Sequence, residues 1–561
     1  MGHKSEGPVG HGWIHGLGKE LNPLWMREVW PGDEGWENLN NIIMRGVESL
    51  VQVGGYRNAL VRGLTSGLLA QAVGFCLSLW TVGISVRILG GSYGAWLAGF
   101  ALISLIGMIE FGLGPFLVRE TAGLRARSDS AQELPVLFST LLGAYLVVAT
   151  VALFLGWLMA PWIAQLIKGH TSADSDDLVS ALRWGAVQVA AAQPLGIWRS
   201  LVHGSQKLGT LGLLAMVESA IIAIFTTILL FAWPSVVVIP LSMIIATIVS
   251  ATVAYGCTPG EIRRAVWSPR MPDRRIISKM MSYCRPWIGS KVCFVIRERT
   301  DEPVAARFLG PEAVVIYTVT QRVVRSVPLM LLGNLSSLGF APLSAVLSSG
   351  DKGRVRQAIL ELIPWLILFS VGSAALVWAV NPALVGVWVG APYYGGDILT
   401  LVFSSWIVLE VLSRGLGVVL YAAGEQTTIV RSQAIEALLN LSLTIILVIP
   451  LGLVGIALGT TIASLLSTAW AIPRAAFRYL EIKWHHIGEI LCGGFWAKVA
   501  LVAGGIVIGR MIAVDAHWIL RVVVPCATGS LLTIALFQHQ LGSLLKGTTV
   551  HGADSLSSHA R

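Results

Sequence analysis

Stretches of about twenty apolar residues, long enough to cross a hydrocarbon layer at roughly 1.5 Å per residue, recur through most of this chain with short polar links between them. They fall near 65–86, 93–118, 134–157, 178–198, 210–232, 235–256, 285–309, 313–337, 358–380, 397–422, 429–450, 453–472, 496–512 and 518–537. No soluble core could absorb that pattern: 55% of the 561 residues are hydrophobic and 13% charged, whereas soluble domains carry about 25% charged residues. In hydrocarbon every backbone N–H and C=O must be satisfied internally, which leaves helices for segments of this length. The expectation is an all-α polytopic membrane protein of about fourteen transmembrane helices.

The net charge of +9 sits in the links rather than in one polar domain, so it reads as a topology signal and not as a nucleic-acid footprint. The even-numbered links hold Arg119, Arg125 and Arg127; Arg199 and Lys207; seven cations from Arg263 to Arg285; Lys352, Arg354 and Arg356; Arg431; and Arg474, Arg478 and Lys483. The opposite links hold little beyond Arg87, Lys168, Arg307 and Arg510, with the acidic Asp174, Asp176 and Asp177. By the positive-inside rule both termini are cytosolic and the chain is a multi-pass protein of the inner (plasma) membrane. Residues 1–56 lack the signature of a signal peptide and read as a cytosolic extension. The six cysteines lie singly, with no metal-binding spacing, and read as core fillers.

Local patterns recur about 220 residues apart, in the same order. Arg87-Ile88-Leu89-Gly90 returns as Arg307-Phe308-Leu309-Gly310, Gly204-Ser205-Gln206 as Gly424-Glu425-Gln426, Glu218 as Glu436, and Phe111-Gly112-Leu113-Gly114 loosely as Leu338-Gly339-Phe340-Ala341-Pro342. Six spans per repeat return the chain to the same side, so two six-helix lobes in parallel repeat around a central cavity are expected, plus two C-terminal helices. The implied organisation is an extension 1–56, an N-lobe 57–257, a basic inter-lobe loop 258–284, a C-lobe 285–473, extra helices within 496–537 and a cytosolic tail 538–561.

The seventh span is the least apolar. Lys291, Arg297, Glu298, Arg299, Asp301 and Glu302 interrupt it, and each charge facing lipid at mid-bilayer costs about 2.5–3.5 kcal/mol. All but Arg299 fall within an arc of about 140°, which should line water. Arg297 with Asp301, and Arg299 with Glu302, are spaced to pair along the helix. On the eighth span Thr318, Gln321, Arg322 and Arg325 share an arc of about 100°. Arginines at this depth suit a phosphate-bearing substrate, since guanidinium binds phosphate oxygens in pairs and stays ionised. The bland alternative is that every Arg meets a carboxylate in static ion pairs that orient helices.

Weaker signals are Glu410 and Arg414, spaced for a salt bridge, and Glu110, Glu218 and Glu436, each a coupling or gating candidate or a hydrogen-bonded carboxyl. Asn334 and Asn440 match glycosylation sequons but lie inside spans, and adjacent His485 and His486 point apart on a helix and make a poor metal pair. There is no phosphate-binding GxxxxGK[ST] loop, and the outer links show no carboxylate or His cluster suited to glycosyl transfer, so the chain is not expected to be an enzyme.

Arg87-Ile88-Leu89-Gly90 followed by Tyr93-Gly94, FGLGPFLVRETA at 111–122, TDEPVAARFLGPEAVVIYTVTQRVV at 300–324 and PLGLVGIALGTTIASLL at 450–466 resemble the Wzx-type polysaccharide flippases of the multidrug/oligosaccharidyl-lipid/polysaccharide exporter superfamily. The resemblance spans about 57–480. It implies two six-helix lobes around a cavity and the movement of an undecaprenyl-pyrophosphate-linked oligosaccharide between leaflets. Carried over by position, Arg297, Asp301 and Arg322 correspond to cavity-facing charges; with Glu298 and Arg325 they are the candidates for binding substrate, and polysaccharide polymerase and glycosyltransferases are candidate partners. That family usually shows an isolated acidic residue where this chain has Arg297-Glu298-Arg299 and Asp301-Glu302. No cofactor is expected; H⁺ or Na⁺ could couple transport. The alternatives are a cation-coupled drug antiporter of the same superfamily and a membrane scaffold of a polysaccharide assembly complex.

Overall fold

The computed structural model describes residues 57–546 apart from 108–109, 111, 126–129, 169–171, 206, 268–269, 349–351 and 493. The expectations for 1–56 and for the end of the tail lie outside the described residues. Residues Asn58–Ala535 form one compact unit. The described residues are helical, without a strand.

The first half runs α1 (Arg57–Leu89), α2 (Gly91–Gly107), α3 (Leu113–Arg125), α4 (Ser130–Leu166), α5 (Ser172–Gly204), α6 (Leu208–Ala232) and α7 (Val238–Cys257). The short α8 (Gly260–Val266) leads into α9 (Arg274–Arg299), α10 (Asp301–Phe308), α11 (Pro311–Ser348), α12 (Lys352–Trp388), α13 (Asp397–Ala422), α14 (Gln426–Leu466) and α15 (Thr468–Tyr479). Then come α16 (Trp484–Leu491), α17 (Phe495–Ile512) and α18 (Trp518–Lys546). Packing follows the repeat: α5 is central to the first half, touching α2, α3, α4 and α7, and α13 is central to the second, touching α11, α12, α14 and α15.

Each of the fourteen apolar segments falls on helix. Among the described residues nine helices are long and apolar enough to cross a membrane, and α2 is a shorter apolar helix, so the expected fourteen exceeds what length and composition alone support. The differences have local causes. The second segment is not one helix: α2 ends at Gly107, and the chain turns through Gly112 (φ 95°) before α3. The seventh is cut at Thr300 between α9 and α10, where Pro303 has no N–H to give the Arg299 carbonyl. The stretch Thr427–Tyr479 counts as one span, yet Gly452, beyond Pro450, is non-helical (φ 58°, ψ −134°). A Cβ on Gly455 would stand 2.0 Å from the Leu447 carbonyl oxygen, and one on Gly459 would stand 2.7 Å from the Thr444 nitrogen. The two arms of α14 therefore fold back on each other across a turn at Gly452, with bare glycines where they touch.

Large apolar side chains stand exposed around the bundle, among them Ile449 at 74%, Phe231 at 72% and Ile512 at 72%, the pattern of a surface solvated by hydrocarbon. At the end marked by Gly90 (φ 53°) and Gly310 (φ 98°) the two halves are pressed together. A Cβ on Gly94 would lie 2.0 Å from the Pro311 carbonyl oxygen. Arg87 donates to the Trp388 carbonyl at 2.7 Å, the Trp388 indole donates to the Leu79 carbonyl at 2.6 Å, and Lys168 donates to the Phe308 carbonyl at 3.2 Å. One apolar core, including Tyr93, Trp96, Val315, Tyr317 and Phe403, continues through both halves there.

Candidate functional site: a buried carboxylate and arginine network

Helices α9 and α10 direct Arg297 and Asp301 into the second half rather than into water. Arg297 is 8% exposed and Asp301 is fully buried, so the expectation that the polar arc lines water is corrected for these two; Glu298 and Glu302 are half-buried, and the side chain of Lys291 lies outside the described residues. The expected pairs along the helix are not formed either. Arg297 is caged by Glu298 (2.9 Å), Glu436 on α14 (3.4 Å) and Glu410 on α13 (3.5 Å). Asp301 meets Arg325 of α11 at 3.6 Å and accepts from the Tyr317 hydroxyl at 2.7 Å and the Thr460 hydroxyl at 3.4 Å. Arg299 is exposed and has no ion-pair or hydrogen-bond partner among the described residues. The cause is the break at Thr300, and the presence of carboxylates on α13 and α14 that sequence spacing along one helix does not reveal.

The network extends further. Arg325 holds Glu298 at 2.9 Å, and Arg414 holds Glu410 as the spacing predicts. Thr468 donates to Glu436 at 2.8 Å, and Asn440 donates to Thr460 at 3.0 Å. Three arginines, Arg297, Arg325 and Arg414, thus serve four carboxylates, Glu298, Asp301, Glu410 and Glu436. Asp301 Oδ1, Glu436 Oε1 and Asn440 Oδ1 are buried acceptors without a hydrogen-bond partner among the described residues. Unmet buried acceptors are costly unless a proton or cation reaches them.

Arg322 stands apart. Its guanidinium donates to the Ser78 hydroxyl of α1 in the other half, and no carboxylate lies within ion-pair distance among the described residues. That contact places it at the seam of the two halves.

The three outlying acids differ from one another. Glu110 lies between α2 and α3, where it accepts from the Gly114 amide at 2.8 Å and the Tyr145 hydroxyl at 3.1 Å; it caps α3. Glu218 forms a surface pair with Arg199 at 2.9 Å, with side chains 32% and 46% exposed, whereas its repeat partner Glu436 is fully buried in the network. The residues that sequence reasoning missed as site members are Glu410, Thr460, Thr468 and Asn440; Glu410 and Asn440 were visible as polar residues but assigned to a local bridge and a sequon.

The six cysteines are free, with Cys284 buried but Cys76 and Cys492 exposed, so core filling does not hold for all. The His485 and His486 rings lie 4.1 Å apart, not pointing away from each other, and no metal-binding cluster of His, Cys, Asp and Glu occurs among the described residues.

An all-helical bundle with matched halves, a lipid-facing apolar surface and a charge network between its helices is the architecture of a membrane transporter. The chain belongs to the polysaccharide biosynthesis protein family, whose profile matches residues 60–343. No curated protein sequence matches it. Among solved structures, the lipid II flippase MurJ in an inward closed conformation has a TM-score of 0.65 at 12% identity, covering 84% of this chain and 99% of that one. An inward-facing multidrug resistance MATE transporter of the MOP superfamily has a TM-score of 0.59 at 14% identity, covering 80% and 98%. A MOP superfamily transporter from Pyrococcus furiosus, described as having reversed polarity in its binding pocket, has a TM-score of 0.54 at 14% identity, covering 80% and 99%. At these identities the likeness establishes the fold, which is that of MurJ and MATE transporters.

Proposed function

We propose that the protein flips a polyprenyl-pyrophosphate-linked oligosaccharide across the cytoplasmic membrane by alternating access, with both termini cytosolic. The reading rests on one observation: among the described residues, the arginines of α9, α11 and α13 divide into a caged set and an uncaged set. Arg297, Arg325 and Arg414 are neutralised by carboxylates, while Arg322 and Arg299 are not. The uncaged pair binds the pyrophosphate, because an unneutralised guanidinium keeps its full affinity for phosphate oxygens. Arg297, Glu298 and Arg325 then position helices α9 and α11, and Arg322 joins the halves until substrate takes its donors from Ser78. The sugar passes through the hydrated seam while the prenyl chain stays in lipid.

Asp301, Glu436 and Asn440, with their unpartnered oxygens, supply a place for H⁺ or Na⁺, which couples the movement to an ion gradient. The surplus of carboxylates also favours a second reading, a cation-coupled drug antiporter. Reconstituted protein offered a fluorescent undecaprenyl-pyrophosphate oligosaccharide separates the two. A charge-assisted hydrogen bond is worth about 1.5–3 kcal/mol, so Arg322→Ala should slow flipping by about 10- to 100-fold. If Arg322→Ala, Arg299→Ala and the double variant all flip at the wild-type rate, the proposal is wrong.

A further inference from the structure

We propose that the segment joining the two halves, in its described residues 260–267 and 270–279, is a docking surface for anionic glycerophospholipid headgroups, through which lipid composition acts on transport. The segment is built from one side only. Ile262 and Val266 of α8, with Met280 and Cys284 of α9, are buried in the core that includes Phe116, Leu137 and Leu141. The backbone amides of Arg270 and Asp273 donate to the hydroxyls of Ser139 (3.1 Å) and Thr140 (3.2 Å) on α4. Lys279 is paired with Glu120 of α3. The segment is therefore held flat against the first half.

Its outer side combines two chemistries. Arg264, Arg270, Arg274 and Arg275 are exposed, and no side-chain partner meets them among the described residues. Only two carboxylates, Glu261 and Asp273, occur in the segment, and Asp273 is spent capping α9 at the Arg275 amide (2.7 Å). Between the arginines stand Trp267, 69% exposed, and Met271, 88% exposed. The Trp267 indole donates to the Tyr255 hydroxyl at 3.0 Å and its ring packs edge-on to Tyr255, so the side chain is fixed in its exposed position rather than free to fold inward.

A soluble acidic partner would satisfy the arginines, and water would suffice for them alone. Neither accounts for a fixed Trp and a bare Met among four cations beside the ends of membrane helices. The bilayer interface supplies both needs at once: phosphates for the guanidinium groups and the acyl boundary for Trp267 and Met271. A cluster of cations at this position attracts anionic lipid, and an aromatic ring anchors at the headgroup level. The consequence follows from α9, which starts in this segment and ends at Arg297 and Arg299. Lipid that holds the segment also sets where the first turn of α9 lies when the halves move.

The test uses the full chain purified in detergent, with native mass spectrometry after addition of phosphatidylglycerol or phosphatidylcholine. The wild type should retain phosphatidylglycerol at least several-fold more than phosphatidylcholine. The quadruple variant R264Q/R270Q/R274Q/R275Q should lose that preference, and W267S/M271S should weaken retention of both lipids, with melting temperatures unchanged for the quadruple variant. Equal retention of the two lipids by the wild type, or an undiminished preference in the quadruple variant, overturns the proposal. Displacement of phosphatidylglycerol by millimolar inorganic pyrophosphate but not by sulfate also overturns it, since the patch would then be a site for soluble diphosphate.

Discussion

Arg297 is the residue whose removal the structure prices most directly. Its guanidinium faces three carboxylates, and two of them have a second cation: Glu298 has Arg325 at 2.9 Å and Glu410 has Arg414. Glu436 has none, and would keep only the Thr468 hydroxyl at 2.8 Å. Arg297→Ala therefore strands one fully buried carboxylate. Breaking a buried pair from one side costs about 3–5 kcal/mol, whereas removing both charges is often close to neutral. The single variant should lose about 3–5 kcal/mol of stability, and Arg297→Gln combined with Glu436→Gln should recover more than half of it. Arg322→Ala is the control: it gives up one charge-assisted hydrogen bond to Ser78, worth about 1.5–3 kcal/mol, and strands no buried carboxylate. Thermal melting in detergent, followed by equilibrium unfolding in mixed micelles, measures all three. If Arg297→Ala is as stable as the wild type, or the double variant is no better than the single, the cage is not structural and Arg297 returns to the list of substrate-binding candidates.

Two further outcomes are expected. Gly94→Ala places a methyl group 2.0 Å from the Pro311 carbonyl oxygen, so the halves must part there; a cysteine replacing Val315 in a cysteine-free background should become reactive to maleimide, and an unreactive cysteine with normal transport would contradict the closure. Asp301→Asn keeps an acceptor for the Tyr317 hydroxyl but removes the charge, so the protein should insert and melt normally while transport loses its dependence on a proton or sodium gradient. Retained gradient dependence would place the coupling elsewhere.

The helical architecture was legible because apolar length is a one-dimensional property: the chain needs no tertiary information to show where a segment can cross hydrocarbon. The interruptions were legible only in part. Pro450 and Gly452 separate two spans in the sequence as in the structure, but the turn at Gly112 lies inside the apolar run 93–118, where Gly112, Gly114 and Pro115 suit a kink within one span as well as a break between two helices. For the site, spacing along the seventh apolar segment identified Arg297, Glu298 and Asp301 as a group, then paired them with the nearest residues in sequence. The partners they take are on α11, α13 and α14, and helix packing decides that choice. Glu410 shows the limit well: its bond to Arg414 is local and was expected, while its contact with Arg297 spans 113 residues and was not.

The repeat makes the same point about function. Glu218 and Glu436 occupy matching positions on matching helices, yet one is a surface ion pair and the other is buried against Arg297. Backbone symmetry has been kept while the polar interior has been given to the second half, and the first half answers at the seam with the Ser78 hydroxyl and with the carbonyl of Leu79. A transporter with charge on both walls would have to separate ion pairs whenever the halves part. Here the strong pairs among Arg297, Glu298, Arg325 and Glu436 stay within one half, and parting the halves at the seam breaks hydrogen bonds of about 0.5–3 kcal/mol each rather than buried ion pairs. That division spares the buried ion pairs when the halves separate while the network keeps α9 and α11 in place, and it leaves Arg322, the cation at the seam, as the group best placed to exchange a hydroxyl of the other half for a phosphate of the substrate.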